Sequence, residues 1–142
     1  MFREVVERGW SLAPAGSRVL TDLLLDNRQR YSDRLTEEAT INGRAMTDYD
    51  LPTATDERAP VLVRRCLAYV AACLQRAQED FGDTAVRAYV SLSFADTDEA
   101  PLTSNVTFCT PLPDALPYIP NLEGVTDASV GEFSADDCSH WS

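Results

Sequence analysis

The run Leu62-Val63-Arg64-Arg65-Cys66-Leu67-Ala68-Tyr69-Val70-Ala71-Ala72-Cys73-Leu74 leads through Phe81-Gly82-Asp83 into Val86-Arg87-Ala88-Tyr89-Val90-Ser91-Leu92-Ser93-Phe94. Across it the hydrophobic repeat changes from about 3.6 residues to about 2, so a helix gives way to a strand. In the first half Leu62, Cys66, Tyr69, Val70, Cys73 and Ala77 share one face. Val63, Leu67 and Leu74 widen that face and leave a narrow polar strip of Arg64, Arg65, Gln75, Arg76 and Glu79. Asp56 and Glu57 before Pro60 suit a first helical turn, where acids meet the positive end of the dipole and proline's missing donor is not needed. Gly82 suits a left-handed C-terminal cap. The reading is a central core helix over 58–81.

In the second half Val86, Ala88, Val90, Leu92 and Phe94 alternate with polar neighbours. Leu102, Ser104, Val106 and Phe108 do the same against Thr103, Asn105, Thr107 and Cys109. Asp96-Thr97-Asp98-Glu99-Ala100-Pro101 joins the two as a hairpin over 85–110. An isolated hairpin is marginal in water, so it must pack on helices or gain strands. The fold class is therefore α+β.

Working outward, Gly16-Ser17 offers an N-cap, and Leu20, Leu24, Tyr31 and Leu35 recur at helical spacing, which predicts a second main helix over 18–39. Its other face, Asp22, Asp26, Arg30, Asp33, Arg34, Glu37 and Glu38, reads as solvated. Phe2, Val5, Val6 and Trp10 mark a docking helix of about two turns within 1–15. Asn42-Gly43 is a candidate hairpin tip in an otherwise acidic loop. Pro111, Pro113, Pro117 and Pro120 rule out a helix or central strand there, so 111–142 is expected to run extended over the body or a partner. Val130 and Phe133 are among the apolar residues that offer one more edge strand. The length of 142 residues is that of one domain.

The charge balance is 23 acids against 12 basic residues, a net −11, and every basic residue is arginine. Without lysine the chain lacks the ammonium group on which P-loop ATPases, protein kinases, Schiff-base aldolases and pyridoxal enzymes depend. The negative surface disfavours direct nucleic-acid binding and anionic membranes and favours a basic protein partner. No apolar run approaches the ~20 residues of a membrane helix. The alternating charge of Met1-Phe2-Arg3-Glu4-Val5-Val6-Glu7-Arg8 is unlike a secretory leader, so a cytoplasmic protein is expected. Cys66, Cys73, Cys109 and Cys138 show no Cys-x-x-Cys spacing and read as reduced, mostly buried thiols.

Residues for chemistry are few. His140 is the single histidine, and as neighbours Asp136, Asp137, Cys138 and His140 cannot all converge tetrahedrally on zinc. Asp96, Asp98 and Glu99 lack the glycine and the final glutamate of a calcium loop. We therefore name no catalytic residue, metal or cofactor. The candidate partner-binding residues are Asp48, Tyr49, Asp50 and Asp56 in the acidic loop 46–57, with Asp96, Asp98 and Glu99 in the hairpin turn. The expected function is an acidic protein-binding module: an inhibitor, an immunity- or antitoxin-type partner, or a phage-encoded antagonist. One form of it is nucleic-acid mimicry by Asp22, Asp26, Asp33 and Glu37. A structural or assembly subunit, as of a virion, is the alternative, and a carboxylate-based hydrolase the second. Self-association is compatible with all three.

Overall fold

The computed structural model describes residues 3–13, 16–24, 34–46, 55–94, 102–111 and 129–138. In chain order these form α1 (Arg3–Arg8), β1 (Trp10–Leu12), β2 (Arg18–Leu20), α2 (Thr21–Leu24), α3 (Arg34–Ile41) and β3 (Arg44–Ala45). They continue as α4 (Thr55–Phe81), β4 (Arg87–Phe94), β5 (Leu102–Cys109), β6 (Ser129–Phe133) and α5 (Ala135–Cys138).

The long helix α4 begins three residues before its expected start, so Pro60 lies inside it, one turn beyond the position where proline's missing donor is free of cost. Its end is as expected. Gly82 takes a φ of 74° and donates its N–H to the Gln78 carbonyl at 2.9 Å. The hairpin also forms, β4 pairing antiparallel with β5 from Arg87↔Cys109 to Phe94↔Leu102. β3 adds antiparallel to β5 and β6 to β4, which completes a four-stranded sheet in the order β3-β5-β4-β6. The α+β class stands, as a long helix packed on a small antiparallel sheet.

The main core lies between them. Leu62, Cys66, Tyr69, Val70, Cys73, Leu74 and Ala77 meet Val86, Ala88, Val90, Leu102, Val106 and Phe108, all buried. Trp10 seals one end, its ring edge-on to Phe108 at 5.5 Å and to Phe81 at 6.0 Å. Its indole N–H donates to the Cys73 carbonyl and its backbone N–H to Asp80 Oδ2, each at 3.0 Å. Gly9, at φ 69°, makes the turn from α1 into β1, and a Cβ there would meet the Asp80 carboxylate at 2.5 Å. Trp10 is thus in a strand and not on the docking helix, which ends at Arg8.

The helix expected over 18–39 does not begin at Arg18. Arg18–Leu20 is a strand that pairs with β1 through Trp10↔Leu20 and Leu12↔Arg18, α2 and α3 follow, and residues 25–33 lie outside the described set. The reason is burial on two sides. Val19 and Leu20 are both 0% exposed, Leu20 in the main core and Val19 with Ala13 and Ile41 in a second cluster. Consecutive residues point to opposite faces in a strand, not in a helix. Nor is Asn42-Gly43 a hairpin tip. Asn42 N–H donates to the Glu38 carbonyl and Gly43 N–H to that of Thr40, so the pair closes α3, and β3 then joins β5.

α3 covers part of the sheet's other face. Glu38, expected in solvent, is 0% exposed, because its carboxylate accepts the backbone N–H of Thr110 at 2.8 Å and of Arg18 at 3.2 Å. Asn42 is equally buried. Its Oδ1 accepts Leu20 N–H at 2.8 Å, and its Nδ2 donates to the carbonyls of Arg18 and Phe108, both at 3.0 Å. Two polar side chains one turn apart therefore clip β2 to the end of β5, since buried polar groups must find partners.

All four cysteines are free, with Cys66, Cys73 and Cys109 buried and Cys138 partly so. Burial pushes the Cys73 and Cys109 thiols up to about 12 and raises the phenols of Tyr69 and Tyr89. The linkage sign follows. A folded pKa raised above the unfolded value near 8.5 for Cys or 10 for Tyr stabilises fully below that value and loses the effect as pH rises. Stability measured by urea unfolding is expected to fall steadily from about pH 9 to pH 11. A flat profile there would mean that these groups are solvated. At about pH 8 the three buried thiols should resist alkylation in native protein and react in denaturant, as buried neutral thiols do.

Candidate functional site

α4 is apolar over a wider arc than one sheet can cover. Its outer flank, Ala59, Pro60, Val63, Leu67, Ala68 and Ala71, lines an open trough of about 660 Å³ in which Arg64 is the single charged lining residue. Toward the sheet the trough deepens into a recess of about 230 Å³, where Val63, Cys66 and Leu67 face Val90, Leu92, Gly131 and Phe133. At its far end Ala71, Gln75 and Gln78 meet Ala135 and Cys138 of α5. The shared residues Val63, Leu67 and Ala71 make this one surface. From 59 to 71 it runs about 18 Å by helical rise.

Local sequence places each wall. The spacing of Ala59, Val63, Leu67 and Ala71 is four residues throughout, which stacks them along one ridge of α4. On β6 the register Ala88↔Phe133 and Val90↔Gly131 puts Phe133 and Gly131 on the helix side. Tyr89↔Glu132 and Ser91↔Val130 put those two on the opposite side. The trough's described lining holds no acid; Glu57 lies on the first turns of α4 and Asp136 and Asp137 on α5, all exposed. The trough is thus apolar apart from Arg64, with charged residues toward its ends.

The lining carries no poised reactive group. The Cys66 thiol hydrogen-bonds to Ser104 Oγ at 3.2 Å, and burial raises both it and the Cys138 thiol, which opposes thiolate chemistry. Among the described residues no three metal-ligating side chains converge. A smaller pocket of about 130 Å³, between Ala39 and Gly43 on one side and Tyr89, Ser91, Asn105 and Thr107 on the other, has room for a group about the size of benzene.

Elsewhere the charges pair locally. Arg18 grips Asp83 through two contacts at 2.7 and 2.8 Å, Arg8 meets Asp22 at 3.3 Å, and Arg3 and Arg76 pair one turn along their helices with Glu7 and Asp80. The Arg18 guanidinium holds the Asp83 carboxyl down at about 2. A depressed carboxylate pKa stabilises above about pH 4 and loses its effect as pH falls through 2. For a pair this open to solvent the contribution stays below about 1 kcal/mol.

Of the candidate partner-binding residues, Asp56 is the second residue of α4. Asp48, Tyr49, Asp50, Asp96, Asp98 and Glu99 lie outside the described residues. Of the carboxylates named for nucleic-acid mimicry, Asp22 lies on α2 and Glu37 on α3, and Asp26 and Asp33 lie outside the described residues. The sequence reading took Val63 and Leu67 only as a widening of the core face. The available signal was that width itself, an apolar arc on α4 too broad for a sheet of four strands. No helix among the described residues is long and apolar enough to cross a membrane. No protein-family model, curated protein or solved structure matches the chain.

Proposed function

We propose that this chain is a protein-binding module that docks a partner with a basic surface, acting as an inhibitor or as an immunity- or antitoxin-type counterpart. The observation that supports it most is an apolar trough, free of acids, on a chain of net charge −11. An apolar centre supplies affinity through burial. At about 25 cal/mol per Å², even a few hundred Å² is worth several kcal/mol before the cost of association. The surrounding acids supply steering and choice of partner, because they speed encounter with cations and repel other acidic surfaces.

The test is affinity capture from the source cells, followed by measurement with the purified partner. Binding should weaken at least several-fold between about 50 and 500 mM salt, and mostly through the association rate, as electrostatic steering requires. An affinity that stays flat with salt would remove the basic partner from the account.

A further inference from the structure

We propose that the trough on α4 receives an amphipathic helix of a partner protein, apolar along one face, with a carboxylate placed to meet Arg64 and a basic side chain two turns away to meet Glu57. This rests on the protein-binding reading above and specifies the segment that docks.

Charge complementarity carries the argument. Arg3, Arg8, Arg18 and Arg76 are used in ion pairs within the chain, and Arg58 and Arg65 on backbone carbonyls. Arg64 is exposed in the trough wall and holds no such group among the described residues. Its helical neighbours one turn away are Pro60, Val61, Leu67 and Ala68, none of which can pair with it. Glu57, seven residues earlier and also exposed, meets no partner among the described residues either. Seven residues are about two turns, so both charges stand on one side of α4, about 10 Å apart along its axis. Covering a charge with apolar atoms alone strips its water and leaves it unpaired, so whatever lies on this flank must bring an acid to Arg64 and a base to Glu57.

Shape selects a helix. The wall of the trough is side chains of α4, whose backbone groups are spent within the helix. An extended segment laid along it would bury its own N–H and C=O groups without partners, whereas a helix satisfies them internally. Ala59, Val63, Leu67 and Ala71 form one four-residue ridge, and its small ends let a second helix approach closely. The recess of about 230 Å³ beneath Val63 and Leu67 takes one large apolar side chain as an anchor. Arg64 is level with Val63 along the axis, so the carboxylate belongs within one turn of that anchor. A second copy fits less well. Pairing Glu57 of each copy with Arg64 of the other centres the contact between Pro60 and Val61 and sets Leu67 opposite position 54, before α4 begins at Thr55, and it joins two chains of −11.

The test is selection of random peptides of about eighteen residues, long enough for helix formation on binding, displayed on phage against the full chain, Leu67→Asp and Arg64→Glu. Affinity and helicity of the enriched peptides are then measured in solution. The expected result is apolar residues spaced by three and four, Asp or Glu within one turn of the central one, and helical circular dichroism that grows on mixing. Affinity should drop at least tenfold on Leu67→Asp. On Arg64→Glu, an exposed position where folding is not at stake, the preference at the acidic position should turn basic. Apolar residues at every second position would overturn the helix, and no enrichment at all would overturn the segment; both leave the protein-binding reading to its own test of salt dependence. Peptides that bind Arg64→Glu equally would overturn the charge match, and peptides that bind Leu67→Asp equally would overturn the site. A dimer in sedimentation that Leu67→Asp abolishes would assign the trough to a second copy, and enrichment that needs Trp141→Ser would assign it to the chain's own tail. Each of these last two also contradicts the proposal.

Discussion

Replacing Asn42 by Ala is expected to lower the unfolding free energy by about 3–5 kcal/mol, a large part of a typical domain's total. The side chain is 0% exposed and uses all three of its contacts on backbone groups: Leu20 N–H, the Arg18 carbonyl and the Phe108 carbonyl. Alanine leaves those groups buried without partners, each at about 1–3 kcal/mol, and no water can reach them cheaply. Asn42→Asp separates the causes. It keeps the acceptor for Leu20 but sets a carboxylate against two carbonyl oxygens, so it should cost nearly as much at neutral pH and recover in part when acidified. Urea unfolding followed by circular dichroism checks both variants, through a lower midpoint at unchanged slope. A loss under about 1 kcal/mol for Asn42→Ala would show that β2 is held without Asn42, by its apolar residues, its pairing with β1 and Glu38.

The second large effect belongs to Trp10→Ala, for which about 3–5 kcal/mol is expected from lost burial and the cavity left among Phe81, Phe108 and α4. Trp10→Phe keeps an aromatic ring in place but removes the bond to the Cys73 carbonyl and part of the buried ring volume, so it should cost about 1–3 kcal/mol. Equal losses in the two variants would mean that the indole N–H, not the ring, fixes β1 against α4.

The parts of the fold legible in the sequence are those where one physical term dominates. In α4 a 3.6-residue repeat persists through 27 residues, and in β4 and β5 apolar and polar residue types alternate, so the face toward α4 is written into the order of residues, although the other face also buries Tyr89, Thr107 and Cys109. Gly82 is legible for the same reason, since few residues tolerate its backbone angle. Of the helix expected over 18–39, Thr21–Leu24 and Arg34–Ile41 are within helices, and only the start misleads, because Leu20 extends the helical spacing into what is a strand. Arg18–Leu20 is a strand because Val19 and Leu20 are buried on opposite sides, and Glu38 and Asn42, about twenty residues away, add hydrogen bonds to its backbone. Local pattern carries no trace of such a long-range bond. The edge strand at Val130 and Phe133 is visible only as one among several apolar fragments. For the site, the acids around the trough are plain from composition, whereas the trough depends on which part of a broad apolar arc the sheet leaves uncovered.

The most direct test of the account is the double variant Leu67→Gln with Ala68→Glu on the outer flank of α4. If that flank is a docking surface, the variant unfolds within about 1 kcal/mol of the parent, as changes on solvent-facing positions do, and loses at least tenfold in affinity for the captured partner. A loss of several kcal/mol in stability, or binding that survives unchanged, would contradict it, the first by making the flank part of the core and the second by placing the partner elsewhere.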